Sequence, residues 1–180
     1  MRTLQTTALA IFAIASLVAC NSTTKTGVEQ DGQFPRITAN LEKFTIEDFL
    51  SLGFKMAKDY DVEGLTAAQS AIYGFWKPLG DESVDYEIRF YASHDDAIEN
   101  GIYFADEVTG DNALLSDKDV TWKEGTRDRR TSGFTQNGGG GSLAPKYADY
   151  IIYANVIVLC QGRDKNQSIE RCGAIITALK

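Results

Sequence analysis

VDYEIRFY, residues 84–91, alternates apolar Val84, Tyr86, Ile88 and Phe90 with polar Asp85, Glu87 and Arg89. A period of two belongs to a β-strand, and the chemistry of the two sets predicts one face on a core and the other in water. The run before it, AIYGFW at 71–76, reads as a second strand, and Pro78, Gly80 and Asp81 between them supply turn chemistry. A hairpin with one wet face is the expectation, and the rest of the fold is built around it.

Downstream, Ser93 is placed to cap a helix whose stripe is Ala97, Ile98, Gly101, Ile102, Ala105 and Val108, with Gly110 as its stop. Upstream, Thr45 reads as an N-cap with Asp48 three residues on, and Phe44 and Phe49 are spaced as a hydrophobic staple. The three-and-four spacing of Ile46, Phe49, Leu50, Gly53, Phe54 and Ala57 predicts that this first helix runs until Asp59. Further on, YIIY at 150–153 and VIVL at 156–159 flank Ala154-Asn155, and Asn tolerates the positive φ of a tight turn. They form a second hairpin or, alternatively, one long strand. Residues 166–180 place Ile169, Cys172, Ile176 and Leu179 on one face of a last helix. The order α-ββα-ββα predicts a two-layer α+β domain: a four-stranded antiparallel sheet with helices on one face. The two halves share no sequence identity that would mark a duplication.

A chain of 180 residues, 43% hydrophobic and 24% charged, is long enough for one domain with a proper core. Residues 1–19 carry a single charge, Arg2; without them 17 basic residues face 25 acidic ones, a net charge of −8. So acidic a chain is ill suited to nucleic acid, whose affinity rests on neutralising phosphates.

The N-terminus reads as a targeting segment. Arg2 is followed by ALAIFAIASLV at 8–18, whose eleven residues span roughly half of a bilayer core at about 1.5 Å each. It is an h-region rather than a spanning helix. Leu17-Val18-Ala19-Cys20 then resembles the lipobox of bacterial lipoproteins. The resemblance covers residues 1–20 and implies that residues 1–19 are a signal peptide cut before Cys20, whose thiol carries diacylglycerol and whose new amino terminus is acylated. Two fatty chains at about 0.8 kcal/mol per buried CH₂ make a durable anchor. It implies a cell-envelope location on the extracytoplasmic side, with Asn21 after the cysteine pointing to the outer membrane where a host has two. Residues 20–36 are polar and end at a proline, a flexible tether reaching about 20–25 Å. The domain is expected from Ile37 to Lys180.

With Cys20 assigned to lipid, Cys160 and Cys172 are an even remainder in a secreted chain. One closes a strand and the other lies on the stripe of the helix expected to cover it, which favours a disulfide over two reduced core thiols. A catalytic redox pair would need closer spacing.

Residues 111–147 form a long loop, and long loops are where function concentrates. Trp122, Lys123, Arg127, Arg129 and Arg130 gather there, an aromatic beside permanent cations that could hold an anionic ligand, a lipid head group or an acidic envelope partner. The bland reading is a solvated loop whose arginines pair with the domain's own carboxylates. Should that site fail, the polar strand face of Asp85, Glu87 and Arg89 is the next place. Gly138–Gly141 lacks the spacing of a phosphate loop and reads as a linker. His94 is the single histidine, and its neighbours Asp95 and Asp96 are accounted for by the helix start, so no metal site and no cofactor are expected. Two classes of function follow: a non-catalytic binding or adaptor module of the envelope, favoured by the absence of catalytic motifs, and an envelope enzyme of hydrolase type without a recognisable motif.

Overall fold

The computed structural model describes residues 33–78, 82–132 and 143–180. Cys20, the signal segment, the Gly80-Asp81 turn and the glycine run lie outside them. The chain order is β1 (Ile37–Thr38), α1 (Ile46–Ser51), β2 (Lys55–Tyr60), β3 (Ala68–Trp76), β4 (Val84–Tyr91), then α2 (His94–Asp96), which passes through a π-helical turn (Ala97–Gly101) into α3 (Ile102–Asp106). After a long excursion come β5 (Arg130–Ser132), β6 (Leu143–Pro145), β7 (Tyr147–Tyr153), β8 (Val156–Gln161) and α4 (Lys165–Ala178).

Six strands form one sheet in the order β1-β7-β8-β4-β3-β2, while β5 and β6 pair separately. The β3–β4 and β7–β8 hairpins are present, and β4 lies antiparallel to β8, Ile88 opposite Val158. β1 runs parallel to β7, so the sheet is mixed. The expected four-stranded antiparallel sheet is thus corrected to a six-stranded mixed sheet plus a two-stranded one, and the fold is mostly β.

The first correction turns on Gly53. Thr45 and Asp48 behave as the spacing predicts, the Asp48 carboxylate accepting from Thr45 N (2.8 Å) and Oγ1 (3.0 Å), and Phe44 meets Phe49 with ring centroids 6.5 Å apart. But Gly53 adopts φ +84°, a conformation that ends a helix, and residues 55–60 leave as an edge strand. Leu50, counted as helix stripe, is 41% exposed, and Ala57, counted with it, is exposed as well. The three-and-four spacing past Gly53 was coincidence.

The second correction is that helices cover both faces of the sheet. Tyr86, Ile88 and Phe90 pack with Val156, Val158 and Cys160 under α1 and α4, through Phe49, Ile169, Ile175 and Ile176. The opposite parity, Tyr91, Tyr150, Ile152, Ile157 and Leu159, packs under Ala97, Ala105 and Val108. Trp122 and Leu65 cover the Tyr60–Tyr73 end of the same face. The face expected to be wet is therefore interior, and Glu87 and Arg89 are both fully buried.

Cys160 and Cys172 form a disulfide, Cα atoms 5.6 Å apart, that ties β8 to α4. Residues 33–36, read as the end of the tether, are docked: Phe34 packs against the α4-side core, and Arg36 pairs with Asp106 (3.0 Å) and Asp149 (3.1 Å) while lying over the Tyr150 ring.

Candidate functional site

Glu87 and Arg89 alternate onto the sheet face opposite α4 because they sit two apart on central strand β4. What covers them is the excursion singled out in the sequence. Trp122 is 2% exposed, donates Nε1–H to the Asp61 carbonyl (3.1 Å) and meets Tyr60 edge-on. Arg129 is 1% exposed; its Nε donates to Glu87 Oε2 (2.7 Å) and its Nη2 to Oε1 (3.2 Å), while Arg89 Nε donates to the same Oε1 (2.8 Å). The Arg129 and Arg89 guanidiniums lie 4.4 and 5.1 Å from the centroid of the Trp122 ring. One carboxylate is held between two planar cations that share one indole.

Burial, the largest influence on Glu87, would push its carboxyl upward. The charges of Arg129 and Arg89 and their hydrogen bonds together outweigh it and hold the group below its ordinary range. An acid so enclosed and so paired has no route to a substrate. The cluster fastens the 111–132 excursion onto the sheet.

Two polar groups rim it. Tyr73 donates to Asp85 (2.8 Å), which also pairs with Lys146. Tyr60 donates to Asp128 (2.7 Å), which also pairs with Lys58 (2.8 Å). Desolvation is the largest cause pushing both phenols up, joined at Tyr60 by the charge of Glu87 and then Asp128 and at Tyr73 by Asp85, so neither hydroxyl ionises near neutral pH. Of the five residues proposed as a ligand cluster, the structure brings together only Trp122 and Arg129, and it buries both. Lys123 and Arg127 are exposed, and Arg130 donates Nη1–H to the Leu115 carbonyl (3.0 Å). The fallback surface is likewise covered, leaving only Asp85 near the rim.

A site the spacing did not announce lies at the other end of β4. A cleft of about 420 Å³ opens between residues 39–43 and the start of α2, lined among others by Asn40, Glu42, Lys43, His94 and Asn155. Asn155 builds it. Its Oδ1 accepts from Phe44 N (2.7 Å), and its Nδ2 donates to the carbonyls of Phe44 (3.1 Å) and Tyr91 (3.0 Å). The positive φ of the hairpin falls on Ala154 (+49°) instead, leaving Asn155 to hold the incoming chain against the turn. Asn40 donates to Glu42 (2.8 Å) and to the Tyr153 hydroxyl (2.8 Å).

His94 Nδ1 lies 2.8 Å from the Ala154 carbonyl. A carbonyl only accepts, so Nδ1 carries the hydrogen, and Nε2 of the neutral ring is a lone-pair nitrogen with no partner among the described residues. Ser93 Oγ accepts from Asp96 N (3.1 Å) and donates to its carboxylate (2.7 Å), so it is occupied as a cap rather than poised as a nucleophile. Leu41, at the cleft lip, is fully exposed. The volume and the mixture of apolar wall with a few polar groups suit a small ligand. Among the described residues, no group of three or more His, Cys, Asp or Glu is placed to hold a metal ion.

Residues 45–180 match a family described as a family of unknown function, DUF6810. The chain belongs to that family. The DUF6810 match spans the sheet from α1 onward and includes His94 and Asn155, while the cleft wall at 39–43 lies before it. No curated protein matches the chain. No solved structure matches it either.

Proposed function

We propose that this DUF6810 chain is a lipid-anchored extracytoplasmic binding module of the cell envelope, held by Cys20 and taking a small polar ligand in the cleft beside His94. The observation that carries the binding role is the cleft itself. There a histidine of defined tautomer meets open space, whereas the acids and bases of the opposite sheet face are committed to one another. The disulfide supports the address, since such bonds persist in oxidising compartments. No helix among the described residues is long and apolar enough to cross a membrane, so in this reading the attachment rests on the lipid. Lys123 and Arg127, both exposed, are available to an acidic partner or head group at the rim of the excursion.

Mass spectrometry of protein made in a bacterial host is expected to find Cys20 as the modified first residue. Cys20→Ala is expected to leave the chain uncleaved or to move it out of the membrane fraction. Wild-type protein recovered in the soluble fraction with Met1 intact would end the anchoring reading.

The cleft is tested by thermal-shift screening of the full chain in detergent against envelope-derived amino acids, peptides and saccharides. For any ligand that stabilises the protein, His94→Ala is expected to weaken binding about five- to tenfold, the effect of one lost hydrogen bond at a partly buried site. Unchanged affinity would move the site elsewhere. Turnover of such a ligand, lost in His94→Ala, would favour the hydrolase-type alternative, for which the fixed tautomer of His94 is the supporting feature.

A further inference from the structure

Most of the polar side chains lining the cleft are already engaged. The Asn155 amide is taken up by Phe44 and Tyr91, and Asn40 holds Glu42 from both ends of its amide, Nδ2 donating to the carboxylate Oε2 (2.8 Å) and Oδ1 accepting from the backbone N–H (3.0 Å). Ser93 Oγ is shared between the N–H and the carboxylate of Asp96. What lacks a partner among the described residues is His94 Nε2, the Asp95 carboxylate, Glu42 Oε1 and the Lys43 ammonium.

The first three only accept hydrogen bonds, and Lys43 alone donates. Two carboxylates against one ammonium also leave the lining net negative. The carboxylates stand on opposite walls, Glu42 on the incoming chain and Asp95 in the first turn of α2. The positive end of that helix is already faced by Asp95 and Asp96, so it does not call for an anion. Nor does a bare metal ion fit, since no group of three such residues is placed to hold one among the described residues. An organic cation does fit: its N–H groups meet acceptors, its charge meets the carboxylates, and its carbon body lies against Ala39, Leu41 and Ala92.

Taking the cleft as the ligand site, we propose that it selects a small aliphatic ammonium compound, whose N–H donates to His94 Nε2 while Asp95 and Glu42 supply the countercharge. A neutral sugar would satisfy the acceptors and leave the negative charge unanswered. A carboxylate alone would meet Lys43 but face both acids. A simple amine and an amino acid share the recognised group, and they differ at Lys43, which only the amino acid engages through its own carboxylate.

His94 is the one histidine of the chain, so the ring-nitrogen resonances of histidine-labelled protein report on the cleft alone. The full-length chain in non-ionic detergent is titrated near neutral pH and at fixed ionic strength with probes that share a propyl body: propylammonium, propan-1-ol, butanoate and L-2-aminobutanoate, with glucose alongside. Propylammonium is expected to shift the His94 Nε2 signal saturably and to bind at least about tenfold more tightly than propan-1-ol, because a charge-assisted hydrogen bond is roughly twice as strong as a neutral one. Asp95→Asn is expected to weaken the amine by about two- to fivefold, the effect of one exposed charge, and to leave the alcohol unchanged. L-2-aminobutanoate is expected to bind as well. If it is the tighter of the two and loses that margin in Lys43→Gln, the ligand is an amino acid; otherwise it is a simple amine. Butanoate or glucose binding as tightly as propylammonium, or an amine affinity indifferent to Asp95→Asn, would overturn the ammonium proposal and leave the cleft standing as a ligand site. No saturable shift with any probe would overturn both.

Discussion

Glu87→Gln is expected to destabilise the domain by about 3–5 kcal/mol, the range found when one member of a buried ion group is removed and its partners stay behind. The amide keeps the shape but takes away the charge that two buried guanidiniums share, and it replaces acceptor lone pairs with N–H groups aimed at other N–H groups. Against a total stability of about 5–15 kcal/mol for a domain, such a loss is large enough to leave a substantial unfolded fraction on mild heating. Urea denaturation followed by circular dichroism measures it. Arg127→Gln, on an exposed residue of the same excursion, is expected to change stability by no more than about 0.5 kcal/mol. Equal effects would show that the ion cluster is not what holds the excursion down. The same group sets an acid limb. Because the Glu87 carboxyl titrates lower in the folded state than its ordinary 4.5, its contribution is fully present above that value. It is lost as pH falls through the lowered folded-state value, so the difference between wild type and Glu87→Gln is expected to shrink as the medium is acidified below about pH 4.5.

Reduction of the Cys160–Cys172 bond is expected to lower stability by roughly 3 kcal/mol on the chain-entropy account, for a sequence separation of 12. Both cysteines are fully buried in the core beneath α4, so the reduced thiols have no water to turn to and the cost does not depend on solvent exposure of the bridge. Oxidised protein should show no thiol at these positions under denaturing conditions, and reductant should lower the urea midpoint. Titration of two thiols from these residues, or a midpoint untouched by reductant, would mean that β8 and α4 hold together by packing alone.

The β-hairpins, the staple at Phe44 and Phe49, the cap at Ser93 and the disulfide were legible because each rests on residues a few positions apart or on a count. β2 was not. Its exposed Lys55, Met56, Ala57 and Lys58 carry no alternation, and what makes them a strand is the ladder to β3, a partner the local pattern does not name. The sidedness of the sheet was misread for a sharper reason. Alternation of apolar and charged residues on β4 reports two chemically different faces, and it cannot tell water from a buried counter-charge supplied some 40 residues later by Arg129. Trp122 and Arg129 were singled out as unusual, and they are, but as the lining of an interior rather than of a surface. The His94 cleft depends on Asn155 reaching across to Phe44, a contact spanning 111 positions that leaves no local trace.

The strip of chain entering the domain has a mechanical consequence. Phe34 sits against α4 and Tyr153, and Arg36 grips Asp106 and Asp149 before β1 joins the sheet. Only then does the same strip form the cleft wall at Asn40 and Glu42. A pull on the chain ahead of residue 33 is therefore borne in series, first by an aromatic plug and an arginine clamp, and reaches the cleft only after both have slipped. The wall of the ligand site is strain-relieved, much as a cable is gripped at its entry so that tension never arrives at the terminal.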